Sequence, residues 1–404
     1  MNSFKQKSNK FEALLLVTSF VTIFAFVAID NVISPLIHLL EKFYFVAATD
    51  ILKLVSICNA GVVVGTYFGP IFIGRFGVVR TYLGNVAVFL MTLMIFLWVR
   101  NFEWALALRF ILGIGSGVFA TLYWWFTFHA AISSKSKDYM ISILLATRSL
   151  AIALGVPMLL FLSIYGGMGW QSGFIVLGIL MLMINFIFFN QLEMTKDAGK
   201  STPQHQHQQG YIVLTKNSNS LLFYAAIFFV AIPYFGFYSF SGYWYLVRLH
   251  FTENNLSVLF FIIGAIEVVV TFICPYCYKK KSSRPMMNLG IVLMILSYLI
   301  FFLVKENVLL SSIVIIFSLI GNRVLMFAFT KNIPNIFSFL ENKAIAASAA
   351  TLVSWGAFSV IAWVQSLVIA NYSPVAVWQI MFWALIIGSL LTQILMKRVS
   401  EKNG

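Results

Sequence analysis

Five ionisable side chains lie inside long apolar runs of this chain: Asp30, Arg109, Arg148, Glu267 and Arg323. A charge set among apolar helices in lipid is costly, so such residues pair with one another or face a water-filled path for ions or substrates. Two of them are carboxylates. Burial disfavours the ionised form of a carboxylate, which suits it to taking up and releasing protons near neutral pH. Asp30 is the first candidate for such a proton carrier and Glu267 the second. Arg109 is read as modulating Asp30 or holding an anionic substrate group, and Arg148 and Arg323 as substrate-binding groups, because a guanidinium holds carboxylates through paired N–H donors. The plainer reading of any single position is a structural ion pair or a side chain reaching to the membrane surface. Five such residues spread over both halves favour a polar central cavity.

A second string with chemical potential is "CPYCYKKKSSR", beginning at Cys274. C-x-x-C spacing suits thiol–disulfide exchange when the first cysteine is exposed at a helix N-terminus, which promotes its thiolate. Here the pair ends an apolar run, where the helix dipole opposes a thiolate, and the lysines that follow offset this only in part. The string reads as structural cysteines, with a membrane thiol oxidoreductase using Cys274 and Cys277 as the remote alternative. Only three cysteines occur, and no disulfide framework is implied. His205 and His207 lie in a Gln-rich stretch and read as solvated, so neither a metal site nor a cofactor is expected. The sequence carries no phosphate-cradling loop, ATPase cassette or hydrolytic nucleophile constellation, and enzymatic function is not expected.

The elements that hold these residues follow from composition. The chain is 61% hydrophobic and 10% charged, against about half and a quarter in soluble domains. Apolar runs of about 20 residues, long enough to cross a bilayer as helices, recur along it. Twelve spans are predicted, over 12–36, 51–73, 79–99, 103–130, 139–163, 169–190, 220–247, 256–278, 285–304, 308–332, 344–369 and 375–396. The fold class is therefore an all-α polytopic membrane protein. A polar Gln/His-rich stretch divides it into a six-helix bundle over 1–190, a linker over 191–219 and a second six-helix bundle over 220–404.

The net charge of +14 is concentrated in the connections on one side: the N-terminal lysines, Arg75, Arg80, Lys135, Lys137, Lys196, Lys200, Lys216, Lys279 to Lys281, Arg284, Lys343, Lys397, Arg398 and Lys402. That asymmetry predicts cytoplasmic termini and linker in a multi-pass protein of the cytoplasmic (inner) membrane. The lipid bilayer accounts for the charge, and no nucleic-acid partner is expected.

Local spacing adds detail. Gly61, Gly65 and Gly69 repeat at the interval that lets helix backbones approach closely. Ser19, Thr22, Phe26 and Asp30 share one face of span one, and Tyr234, Tyr238, Ser241 and Tyr245 one face of span seven, as a cavity wall requires. Tyr234 and Tyr238 are accordingly read as cavity residues; interhelical hydrogen bonding and an interfacial aromatic belt are the alternatives. Pro35, Pro157 and Pro233 are candidate kinks. The halves also echo each other: Pro70 precedes Arg75 by five residues in "GPIFIGRFGVVR", as Pro275 precedes Lys280 in "CPYCYKKKSSR".

Together these residues resemble the major facilitator superfamily over nearly the full length, and within it the twelve-span drug:proton antiporter branch. "FVAIDNVISPLIHLL" resembles that branch's span-one motif through Asp30, Pro35 and Leu36. "ALRFILGIGSG" resembles its span-four motif through Arg109, Gly113, Gly115 and Gly117, and "KAIAASAATL" from Lys343 the start of span eleven. "GRFGVVR" is similar to the family's loop signature, keeping Arg75, Gly77 and Arg80 as gating-loop residues, with Gly74 where an acid is usual. In span five only "LGVPML", around Gly155 and Pro157, matches.

The resemblance implies two pseudo-symmetric bundles rocking about a central site, and proton-coupled transport of a small organic molecule. Efflux of a drug, metabolite or carboxylate siderophore is the first expectation. The eroded span-five motif motivates the alternative, a proton-coupled importer of a metabolite or nutrient. Three arginines against two acids within the spans tilt the substrate towards an anion or zwitterion, and a monomer is expected. The Cys274→Ser/Cys277→Ser double variant is expected to retain full transport activity; its loss, with the protein still folded, would restore the thiol reading.

Overall fold

The computed structural model describes residues 2–129, 146–189, 214, 217–280, 283–337 and 343–403. Twelve of its helices are long and apolar enough to cross a membrane, and the described residues contain no strand. With no water to satisfy a free peptide group in lipid, helices are the expected solution. His205, His207, Lys135, Lys137, Lys196, Lys200 and Lys216 fall outside the described residues.

Span one is α1 (Asn2–Asn31), which breaks over 32–36 and resumes as α2 (Ile37–Tyr44). Pro35 lies in that break, where it lacks an N–H and restricts the residue before it. Then follow α3 (Ala48–Phe76), α4 (Val78–Trp98) and α5 (Phe102–His129). Span five is helical over 146–150, widens to a π turn over Ala151–Gly155 and continues as α6 (Val156–Tyr165), with Pro157 in its first turn. Proline has no N–H to give the helical ladder, and the π turn directly before it is a local widening that accommodates the missing bond within a continuous helix. The first half closes with α7 (Gln171–Phe189).

The second half begins at α8 (Ser218–Gly242), whose first turn is capped by the Asn217 side chain accepting from the Asn219 and Ser220 N–H groups. A π segment, Tyr243–Arg248, extends it. Next come α9 (Glu253–Lys280), α10 (Ser283–Val304), α11 (Val308–Ile336), α12 (Lys343–Asn371) and α13 (Pro374–Asn403).

The packing order repeats between halves. In the first, α1 packs on α7, α3 on α5 and α4 on α5; in the second, α8 packs on α13, α9 on α11 and α10 on α11. The halves meet where α3 lies along α12 and where α9 lies along the π turn and α6. A two-fold relation between the halves exchanges these two seams.

The α3–α5 contact is backbone against backbone. A Cβ added to Gly65 would collide with the Ile114 carbonyl, and one added to Gly113 with the Cys58 carbonyl. The glycine spacing seen in the sequence thus serves helix packing. Gly77, between α3 and α4, has φ +78° and ψ 160°, a conformation open essentially to glycine alone. Its N–H donates to the Ile73 carbonyl at 2.9 Å, and Thr81 Oγ1 donates to the Phe72 carbonyl at 3.0 Å, so the turn is tight. Arg75 and Arg80 flank it and are exposed.

Gly65→Val is expected to abolish the folded, monodisperse peak in detergent size-exclusion chromatography. Gly84→Ala, at an exposed helix position with nothing near the new methyl, is expected to leave thermal stability within about 1 kcal/mol of wild type.

Candidate functional site

Between the halves lies a cavity of about 320 Å³. Its wall takes Thr22 and Phe26 from α1, Phe119 and Tyr123 from α5, Arg148 from span five, Tyr234 and Phe235 from α8, Cys274 from α9, Asn322 and Arg323 from α11, and Trp355 from α12. From mid-helix positions such as Phe26, Tyr234 and Arg323 the lining continues through Phe223 of α8, Cys274 of α9, Ile333 of α11 and Ala350 of α12, towards the bundle end at which α7 finishes and α8 begins. The opposite end is sealed. There Ser34 Oγ accepts from the Gly242 N–H at 2.9 Å, joining the end of span one to the end of span seven. Between α3 and α12, Ser56 Oγ donates to the Ser359 carbonyl at 2.8 Å and Ser359 Oγ donates to the Ser56 carbonyl at 2.9 Å. The cavity is thus closed on one face of the bundle and directed towards the other.

Glu267, 1% exposed, is the hub of the wall's charged corner. Its Oε2 accepts from Arg323 Nη2 at 2.5 Å, and its Oε1 accepts from the Tyr238 hydroxyl at 3.0 Å. Ser149 Oγ and the Tyr234 hydroxyl each lie 3.3 Å from Oε2. Arg323 Nη2 is also within bonding distance of Ser149 Oγ, at 2.9 Å, and of the Tyr234 hydroxyl, at 2.7 Å. Tyr234 and Tyr238 sit one turn apart on α8, which aims both hydroxyls at the same carboxylate. Ser149 comes from the first half, so this cluster spans the seam between the halves. Arg323 keeps 17% of its side chain exposed, while Glu267 lies behind it.

The second ion pair is sealed. Arg109 Nη2 donates to Asp30 Oδ1 at 2.8 Å, and the two side chains are 1% and 0% exposed. Arg109 Nε also approaches the Leu54 carbonyl at 3.4 Å, and the guanidinium faces the Phe96 ring at 5.8 Å. Arg109 is thus in contact with Asp30, the residue it was expected to modulate. The substrate-contact role expected of Arg109 does not fit, however: neither Arg109 nor Asp30 is among the cavity-lining residues. Tyr238 likewise stands behind the wall, holding Glu267, whereas Tyr234 is in it.

Arg148 is different. It lines the cavity with no carboxylate within salt-bridge distance among the described residues, and its Nε and Nη2 have no hydrogen-bond partner. Its guanidinium rests on aromatic faces instead, 4.4 Å from the Phe235 ring centre and 5.2 Å from those of Tyr234 and Trp355. Cation–π attraction compensates part of its lost hydration.

Of the residues expected to form the cavity, Arg148, Arg323 and Tyr234 line one wall with Glu267 just behind. The gating-loop residues Arg75, Gly77 and Arg80 lie apart, at the α3–α4 turn. Ser149, Trp355 and Cys274 were missed. Cys274, expected to be a structural cysteine near the inner end of span eight, lies before the end of α9 at Lys280 and lines the cavity. Ser149 adjoins Arg148 in sequence, and that adjacency was the available signal.

The sequence profile of the Major Facilitator Superfamily matches residues 15–362. The chain belongs to that superfamily. It is therefore a multi-pass membrane transporter, moving a small molecule by alternating access. No curated protein matches it in sequence. Among solved structures it is similar to the xylose transporter XylE from E. coli in a partially occluded inward-open conformation. That match has a TM-score of 0.72 at 13% identity and covers 95% of this chain and 99% of that one. It is also similar to a D-xylose-proton symporter, with a TM-score of 0.72 at 14% identity, covering 94% of this chain and 96% of that one. At these identities the likeness is one of fold.

Removing one partner of a buried ion pair strands the other charge, typically costing about 3–5 kcal/mol, whereas removing both is milder. Asp30→Asn is therefore expected to lower the melting temperature in detergent more than the Asp30→Asn/Arg109→Gln double variant. Additive losses would contradict the pairing.

Proposed function

We propose that this transporter is a proton-coupled carrier of a small organic anion, in which Glu267 carries the proton and Arg148 and Arg323 receive the substrate. The observation that supports it most is that Arg323, in the cavity wall beside an Arg148 with no ionic partner among the described residues, is paired with Glu267 just behind it. The charge of Arg323 is matched by Glu267 while that carboxylate is ionised. When Glu267 takes a proton, Arg323 is left with a positive charge facing the cavity, and an anionic substrate group replaces the lost partner. Conversely, an anion drawn to Arg323 lowers the cost of protonating Glu267. Proton and anion thus favour each other's binding.

Asp30, the first candidate by sequence, is less well placed. Its partner Arg109 is sealed from the cavity, and the pair reads as a brace between α1 and α5. Ser149, Tyr234 and Tyr238 position Glu267 and Arg323. Because Ser149 belongs to the first half, a change of charge at Glu267 also alters a contact between the halves. In this reading the bundles of residues 1–190 and 220–404 rock as bodies joined by the 191–219 linker. The Gly77 turn with Arg75 and Arg80 acts as a gate at the open face. The positive connections favour a cytoplasmic position for that face and both termini, with the protein held in the inner membrane. Each chain carries its own cavity and works as a monomer.

Mutual reinforcement of proton and anion binding favours movement of both in the same direction, and an inward proton gradient then drives uptake. The second reading is efflux by antiport, favoured by the resemblance of Asp30, Pro35, Arg109 and the span-four glycines to the drug:proton antiporter branch. Metabolite pools separate the two. An organic acid depleted in a deletion strain and enriched on overexpression supports uptake; the reverse pattern supports efflux. In proteoliposomes, Glu267→Gln is expected to lose accumulation driven by a pH gradient while keeping substrate exchange, and Asp30→Asn to keep both if folded. Full pH-driven accumulation by Glu267→Gln would overturn the coupling assignment.

A further inference from the structure

The charge balance of the cavity narrows the substrate further. Resting on the reading of this cavity as the transport site, we infer that it takes amphipathic organic monoanions: one carboxylate on a flat apolar, preferably aromatic, body.

Three arginines and two acids lie within the spans, but they do not act as a loose pool of charge. Arg109 is held by Asp30 and Arg323 by Glu267, both at salt-bridge distance. Among the five, Arg148 alone lacks an ionic partner among the described residues, so one positive charge is left to face a ligand. A second or third carboxylate would enter a confined, mostly apolar space with no fixed cation to meet it, and an unpaired buried charge is strongly disfavoured. A proton on Glu267 releases Arg323 to the same carboxylate as Arg148, the two guanidiniums lying 5.1 and 5.2 Å from one Tyr234 ring centre, so a second carboxylate still finds no cation of its own.

Arg148 is also prepared for an acceptor. Two of its nitrogens, Nε and Nη2, are buried without hydrogen bonds. Unmade bonds of this kind are costly, and a carboxylate that draws the guanidinium slightly from its rings recovers them. Nε and one terminal nitrogen form the edge that a carboxylate engages with two parallel bonds.

The rest of the wall recognises a flat apolar body. Phe26 and Phe235 flank Trp355, with ring centres 5.8 Å from it in each case, and Phe235 stacks on Phe358 at 4.7 Å. Phe119, Met326 and Phe327 continue the apolar surface from α5 and α11. These rings come from both halves, α1 and α5 on one side and α8, α11 and α12 on the other. A flat ligand lodged among them therefore touches both rocking bodies. A small hydrophilic acid would satisfy Arg148 and leave the rings in water.

The test is isothermal titration calorimetry of the full chain in detergent with four probes: 2-naphthoate, 2-naphthamide, naphthalene-2,6-dicarboxylate and citrate. The expected order puts 2-naphthoate first, about tenfold or more tighter than each of the others. Arg148→Gln is expected to weaken 2-naphthoate by roughly ten- to a hundredfold while leaving 2-naphthamide within a few-fold. Because the wild-type order alone decides the class, a variant that fails to fold does not rescue or remove the inference. Citrate or the dicarboxylate binding as tightly as 2-naphthoate would overturn it. Equal binding of acid and amide, or no saturable binding of 2-naphthoate, would do the same. Preferential 2-naphthoate binding together with pH-independent transport would sink the proton-coupling reading and leave this one standing.

Discussion

A charge buried among helices in a membrane must find an opposite charge, a set of dipoles or a ligand. In this protein that constraint organises the interior. Asp30 and Arg109 answer it with each other, sealed from the cavity between α1 and α5, although Asp30 Oδ2 accepts no hydrogen bond. Glu267 and Arg323 answer it at the edge of the cavity, where one partner is covered and the other keeps some exposure. Arg148 answers it only with aromatic faces, and two of its nitrogens stay unbonded. The three solutions grade from structural brace to switchable pair to open binding group. That gradation separates their roles better than residue type does.

Irregularities in the helices place these groups. The π turn at Ala151–Gly155 follows directly on Arg148 and Ser149 and lies against α9. It shifts the register of span five just where that span meets Glu267. Single π turns within helices recur at functional positions because they re-aim side chains without ending the helix. The second π segment, Tyr243–Arg248, lies beside Gly242, whose backbone meets Ser34 at the sealed end. Glycines there and along α3 and α5 bring backbones into contact. Rigid pairs of helices of this kind suit a mechanism in which packed bodies move about a fixed site.

The fold was legible in the sequence because bilayer thickness sets a length for apolar runs that short-range noise rarely mimics. The predicted span over 285–304 compares with Arg284–Val304, and that over 308–332 with Val308–Ile333. What the sequence could not carry was the partnership of Glu267 with Arg323, 56 positions away, since both stood alone in apolar surroundings. Nor could it separate Tyr234, at the wall, from Tyr238, one turn deeper. Helical periodicity gives a face but not which residues on that face a neighbouring helix covers. Cys274 shows the same limit: the predicted span ran to 278 and α9 to Lys280, so the helix end was legible, but not that Cys274 lines the cavity.

The central claim is that an anion and a proton enter this cavity together, through the exchange of partners at Arg323. The most direct measurement is proton uptake by the detergent-solubilised protein when 2-naphthoate binds, followed with a pH indicator in weak buffer near neutrality. The account predicts uptake approaching one proton per anion in the wild type and none in Glu267→Gln. Proton release on binding, or equal uptake by Glu267→Gln, would contradict it.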